Sequence, residues 1–62
     1  MPTVNVSLLE GRTIEAKRKY VTEVTKLTCE CFAVPAEKVS VIFNEMKHEN
    51  HAVAGVLSAD KK

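Results

Sequence analysis

The feature that most constrains this chain is a hydrophobic period that changes twice within 62 residues. Apolar and polar residues alternate over residues 3–9, as in a β-strand with one buried face. From Ile14 to about Phe32 the spacing becomes helical, and from Val39 to Glu45 it alternates again. A helix that joins two strands in this way is a crossover. We therefore expect an α/β fold, a short β-α-β unit with two parallel strands and a right-handed crossover helix.

Turn and cap residues support these boundaries. Gly11 interrupts the first pattern and supplies the permissive backbone that a tight turn needs. Thr13 is a suitable N-cap, and Glu15 places a negative charge in the first turn, where the helix dipole favours it. The residue before Pro35 is disfavoured in helical geometry, so the helix should end there and a single turn should follow.

The predicted helix has one apolar side and one charged side. The apolar stripe contains Tyr20, Val24, Leu27 and Cys31, widened by Val21 and Thr28. This arrangement predicts a buried Cys31 and a more exposed Cys29. The basic run Lys17-Arg18-Lys19 is assigned to the solvent side of the helix.

The C-terminal part of the chain gives weaker signals. Residues 46–51 are polar and are predicted to form a loop. Residues 52–55 are predicted to form a short extended piece, and residues 58–62 a loose tail.

The small size of the chain means that it needs additional stabilisation. We expect one domain over residues 1–62, and domains this small often use disulfides, a metal or partner subunits. Cys29 and Cys31 are two apart on a helix, so their side chains diverge and cannot bridge. A zinc site with His48 and His51 would have irregular spacing and is disfavoured for the same reason. One helix also covers only one sheet face, so other copies of the chain are expected on the second face.

Charge and hydropathy exclude several classes of partner. The formal net charge is +1, which gives no basic face for nucleic acid, and the run at residues 17–19 is the only feature that favours such binding. No apolar run is long enough to span a membrane. The N-terminus lacks the apolar segment of a signal peptide, so a cytoplasmic location is expected. The two glycines lie far apart and form no phosphate-binding loop, so no cofactor is expected.

The residue with the most suggestive chemistry is Pro2. Removal of Met1 would leave its secondary amine free at the head of the first strand. In an apolar site the charged form of an amine loses solvation and its pKa falls. A neutral amine can act as a general base near pH 7. Many proteins begin with Met-Pro, and an ordinary strand start explains the pair equally well.

The complete pattern resembles the 4-oxalocrotonate tautomerase family. The resemblance depends on the initiating proline, on the turn Leu9-Glu10-Gly11-Arg12 and on Glu45-Met46 ahead of the closing loop, and it extends from Pro2 to about Gly55. It implies a homohexamer built as a trimer of dimers. It also implies a tautomerase that converts enol or dienol 2-hydroxy acids, such as 2-hydroxymuconate-like or enol-pyruvate substrates, to the keto form.

The resemblance also implies roles for individual residues. Pro2 is the general base, and Arg12 binds a substrate carboxylate by charge-assisted hydrogen bonds. Ser40 stands where the family has a second arginine, which weakens oxyanion stabilisation and places dicarboxylate substrates in doubt. His51 stands where the family has an aromatic residue lining the pocket. Its imidazole either hydrogen-bonds to the substrate or is an exposed loop histidine.

Two alternatives limit this reading. If Met1 is retained, the Pro2 nitrogen is an amide and cannot act as a base. The chain is alternatively a catalytically weak subunit of a hetero-hexamer, whose partner supplies the arginine missing at Ser40.

Overall fold

The computed structural model describes residues 2–61 and consists of one long helix, two main strands and a small hairpin. The main elements are β1 (Thr3–Leu9), α1 (Ile14–Phe32), β2 (Ser40–Met46), β3 (Ala52–Val53) and β4 (Val56–Leu57). Three short 3₁₀ helices occur at Ala36–Lys38, His48–Asn50 and Ser58–Asp60.

The strands β1 and β2 pair in parallel, as the sequence predicts. Their register runs from Thr3 beside Ser40 to Leu9 beside Met46. The strand β2 begins and ends one residue later than predicted. Because α1 connects the two parallel strands, the chain is a β-α-β unit, which confirms the expected fold.

Local interactions account for the ends of α1. The Thr13 side-chain oxygen accepts a hydrogen bond from the Ala16 amide at 3.1 Å, so Thr13 is the N-cap. At the other end Ala33 has a left-handed backbone (φ 55°), a conformation that commonly terminates helices. Pro35 follows shortly and cannot continue the helix.

The buried side of α1 is rotated from the predicted stripe. Thr28 is 8% exposed, and its hydroxyl donates to the Val24 carbonyl at 2.7 Å. Leu27 is 57% exposed, although the helical spacing places it in the apolar stripe. The expectation for the cysteines is reversed, since Cys29 is half-buried and Cys31 is exposed. The reason is that the half-buried residues of α1 include Lys17, which a pattern of apolar residues does not select.

A single copy of the chain has almost no core. Among residues 2–61 no hydrophobic side chain is buried, and several large ones are well exposed. The radius of gyration is 14.8 Å, whereas about 10.5 Å is typical of a compact domain of this length. The accessible surface is 4925 Å², against about 4,000 Å² for a folded monomer of this mass. A chain with this shape needs other subunits to cover its apolar surface.

The uncovered surface includes the sheet face that points away from α1. On β2, Val41 and Phe43 are half-buried, while Ile42 is 47% exposed on the opposite face. The alternation along both strands therefore gives one face to the helix and leaves the other without cover.

We expect Ile42→Asp to prevent assembly of the protein. Around Ile42 the open face carries the polar side chains of Asn5, Ser7, Ser40 and Asn44, so Ile42 is its central apolar contact. A charge buried at that position in an interface loses its hydration without gaining a partner. The variant should sediment as a monomer and lose most of its helical circular dichroism, because a single copy has too little core. Thr22→Asp adds the same charge at an exposed position of α1 and should assemble normally. If Ile42→Asp remains a folded oligomer, the open sheet face is not an interface.

Candidate active site

Pro2 and Ser40 lie together at the end of the sheet where both strands begin. The Ser40 amide donates a hydrogen bond to the Pro2 carbonyl at 3.0 Å, which extends the ladder of β1 and β2 by one step. Pro2 is half-buried and Ser40 is exposed. The question of whether Met1 is removed concerns a residue outside the described part of the chain.

Arg12 lies beyond the opposite end of β1. It follows Gly11, whose backbone φ of 111° is rarely adopted by residues other than glycine. Arg12 is exposed and lines a cavity of about 180 Å³ between the sheet and the start of α1. The other lining residues are Val6, Leu8, Ala16, Lys17, Tyr20 and Phe43. The cavity is smaller than a typical ligand pocket of about 300–1,000 Å³, so one copy does not enclose a complete binding site.

Two cationic side chains line this cavity, and Arg12 is the one that has no carboxylate partner among residues 2–61. Lys17 Nζ lies 2.9 Å from Glu45 Oε2 and 5.8 Å from the centre of the Phe43 ring. Its charge is therefore already paired. Arg12 has no carboxylate within 4.0 Å among residues 2–61. An unpaired guanidinium beside an apolar cavity suits an acid with an apolar body.

The same ion pair changes the interpretation of the basic run at residues 17–19. Lys17 is half-buried against the sheet instead of lying on the solvent side. Arg18 is exposed, and its Nη1 lies 3.9 Å from Glu15 Oε2. The three residues of the run therefore do not form one continuous basic patch on the solvent side of α1.

His51 follows the C-terminal end of β2 and is half-buried. Its Nδ1 lies 2.6 Å from Ser58 Oγ, and its carbonyl accepts a 2.7 Å hydrogen bond from the Ser58 amide. His51 is thus not the exposed loop histidine of the second sequence reading. Ser58 was not identified by sequence reasoning, because its partner lies seven residues away and is brought to it by a hairpin.

That hairpin is formed by β3 and β4, which pair in antiparallel fashion. Ala54 and Gly55 form its two-residue turn, with φ of 55° and 80°, as in the mirror-image turns that suit tight hairpins. The sequence predicted one extended piece over residues 52–55 and missed the second strand. The predicted loose tail is also wrong for Ser58–Asp60, which forms a 3₁₀ helix held to His51. Lys62 lies outside the described residues.

The structure does not bring the four predicted residues together in one chain. Pro2 and Ser40 lie at one end of the sheet, and Arg12 and His51 follow its other end. The seven residues of β1 separate these ends by about 20 Å at the rise of an extended strand. One copy therefore provides two separate halves of a possible site.

Other kinds of site find little support in the described chain. Residues 2–61 contain no group of three or more His, Cys, Asp or Glu side chains placed to hold a metal ion. Within the same residues, no helix has the length and apolar character needed to cross a membrane.

Comparison with known proteins shows the family. The model of the family described as "Tautomerase enzyme" matches residues 2–61. The chain is 43% identical over 60 residues to 2-hydroxymuconate tautomerase from Bacillus subtilis strain 168, and the matched region covers 97% of each protein. A crystal structure of a 4-oxalocrotonate tautomerase homologue superposes with a TM-score of 0.96 at 39% identity. That match covers 100% of this chain and 98% of the other.

A further structural likeness concerns assembly. A heterohexamer 4-oxalocrotonate tautomerase from Chloroflexus aurantiacus J-10-fl superposes with a TM-score of 0.91 at 26% identity, with 100% of both chains covered. Sequence, family model and fold agree over essentially the whole chain, so this protein belongs to the 4-oxalocrotonate tautomerase family.

Proposed function

We propose that the chain is a tautomerase that converts enol or dienol 2-hydroxy acids to their keto isomers in a site shared between copies. The observation that supports this most directly is the separation of Pro2 and Ser40 from Arg12 and His51 at opposite ends of the sheet. A small acid cannot contact both ends of one chain. Association of copies, which the exposed apolar surface requires, would place the two halves side by side.

In the proposed reaction the free amine of Pro2 is the base. It accepts the proton of the substrate hydroxyl, and the electron pair left on oxygen becomes the carbonyl bond. The carbon–carbon double bond shifts, and the same proton returns from nitrogen to carbon, so no proton is gained or lost. Arg12 of a neighbouring copy binds the substrate carboxylate, and its free charge and apolar surroundings favour this role.

The proposed assembly is a homohexamer arranged as a trimer of dimers. The family likeness and the uncovered sheet face support it. A second candidate is a catalytically weak subunit of a hetero-hexamer. Ser40 favours it, and so does the fold shared with the Chloroflexus heterohexamer. The purified single chain separates these possibilities, because a stable hexamer that turns over an aryl enol-pyruvate without any partner dismisses the hetero-hexamer.

Ser40 gives a test of substrate class. Arginine at this position would add a cation beside Pro2, within reach of a second carboxylate or of the oxygen at C2. We expect Ser40→Arg to raise kcat/KM for the dicarboxylate 2-hydroxymuconate by about tenfold relative to an aryl enol-pyruvate, since a charge-assisted hydrogen bond contributes about 1.5–3 kcal/mol. The measurement is the ratio of kcat/KM for the two substrates.

Ser40→Gln is the matched control, because it lengthens the side chain without adding charge. It should leave the ratio near that of the original protein. Because an effect of arginine on the Pro2 amine changes both substrates alike, the ratio isolates recognition of the second carboxylate. An unchanged ratio in Ser40→Arg contradicts the assignment of Ser40 to the substrate site.

A further inference from the structure

Ser58 holds His51 at two points. The side chains meet at 2.6 Å between Nδ1 and Oγ, and the backbones meet at 2.7 Å between the Ser58 amide and the His51 carbonyl. Both residues are half-buried. They directly flank the paired residues Ala52 and Leu57, so they close the open end of the β3–β4 hairpin. The imidazole is thereby held against the end of the β3–β4 hairpin.

The contact favours one position for the ring proton, because only one arrangement uses every polar group of the pair. If Nδ1 donated to Ser58 Oγ, the hydroxyl proton would have no acceptor among the hydrogen bonds of residues 2–61. If the hydroxyl donates to Nδ1 instead, its proton and the Nδ1 lone pair are both used. In a neutral imidazole the second arrangement places the remaining proton on Nε2. Nε2 is then a hydrogen-bond donor and cannot act as a base.

We propose that Ser58 is a positioning residue that holds His51 as a neutral Nε2–H donor to the substrate oxygen that becomes negative during proton transfer. This inference rests on the proposed function, in which Pro2 removes the hydroxyl proton and leaves charge on that oxygen. A donor fixed in advance stabilises such charge better than a freely rotating side chain. His51 is therefore assigned to the oxygen and Pro2 to the proton.

The first test is independent of activity. Long-range ¹H–¹⁵N correlation spectra of the assembled protein distinguish the two imidazole tautomers. Of the two histidines in the chain, His51 should show a proton on Nε2, and Ser58→Ala should shift it toward a tautomer mixture. His48 is exposed, with Nδ1 3.9 Å from the Glu10 carboxylate, and its signals should not change. A His51 spectrum that is the same in the original protein and in Ser58→Ala overturns the proposal.

The second test uses kinetics with an aryl enol-pyruvate. Ser58→Ala should lower kcat by roughly tenfold with little change in KM. The reason is that the His51 hydrogen bond stabilises the negative charge that develops on the substrate oxygen, and it contributes little to binding of the uncharged hydroxyl. Ser58→Thr keeps the hydroxyl and should restore most of the rate. Thr22→Ala removes an exposed hydroxyl hydrogen bond in α1 and should have no effect.

A His51→Phe background separates positioning from folding. With no imidazole to position, Ser58→Ala should cost almost nothing there, so the two substitutions should not be additive. If Ser58→Ala lowers kcat equally in both backgrounds, the serine only stabilises the hairpin and the proposal is wrong. Failure of the proposed tautomerase function is recognised separately, because the original protein would then show no turnover while the spectra still report the tautomer.

Discussion

Pro2→Ala is expected to lower kcat for ketonisation of an aryl enol-pyruvate by at least about a hundredfold, the usual contribution of a positioned general base. The proline ring fixes the direction of the nitrogen, whereas the primary amine of alanine rotates freely. The proposed hexamer should survive, because the backbone bond from the Ser40 amide to the residue-2 carbonyl does not involve the side chain.

Pro35→Ala is the matched control, since Pro35 is the second of two prolines and is exposed ahead of a 3₁₀ turn. It should retain its activity. Intact mass spectrometry of each preparation shows whether Met1 has been removed, which the mechanism requires. A Pro2→Ala protein that keeps most of the original rate, with Met1 absent from both preparations, excludes Pro2 as the base.

Arg12→Gln is expected to raise KM and lower kcat/KM by about ten- to a hundredfold, since a charged hydrogen bond to the carboxylate is lost. Arg18 is the other arginine, is exposed on α1, and Arg18→Gln should behave as the original protein. The stronger test is complementation. If each site takes Pro2 from one copy and Arg12 from another, two inactive variants can repair each other.

Pro2→Ala and Arg12→Gln subunits are therefore unfolded together in equal amounts and refolded. Random assembly gives both functional residues to about one site in four, so about a quarter of the original activity should return. Mixing the variants without unfolding should restore little. If co-refolding restores nothing although mass spectrometry shows mixed oligomers, Pro2 and Arg12 act from the same chain, and the shared-site proposal is wrong.

Local patterns determined the three main elements of this fold, β1, α1 and β2. Alternation over residues 3–9 predicted β1 to the residue, and the helical spacing with Thr13 as N-cap predicted α1. Both signals are local, because a strand alternates every two residues and a helix every 3.6. The parallel crossover then follows from the order strand, helix, strand and from the general preference for right-handed connections.

The contacts between distant residues had to come from the tertiary structure. The sequence missed the pairing of His51 with Ser58, the burial of Lys17 against Glu45 and the exposure of Leu27. Each depends on which side chains the fold brings together. Polar groups that satisfy one another in this way have no period along the chain.

The arrangement of the candidate site shows the same division. The sequence by itself identified Pro2, Arg12, Ser40 and His51 through a family resemblance, and it predicted that so small a chain needs partners. Only the tertiary structure brought Ser58 to His51, whereas the division of the four residues into two pairs at opposite ends of the sheet follows from the parallel strands that the sequence predicted. The physical reason is that a parallel strand pair places both strand starts at one end and both strand ends at the other, about 20 Å apart for strands of this length.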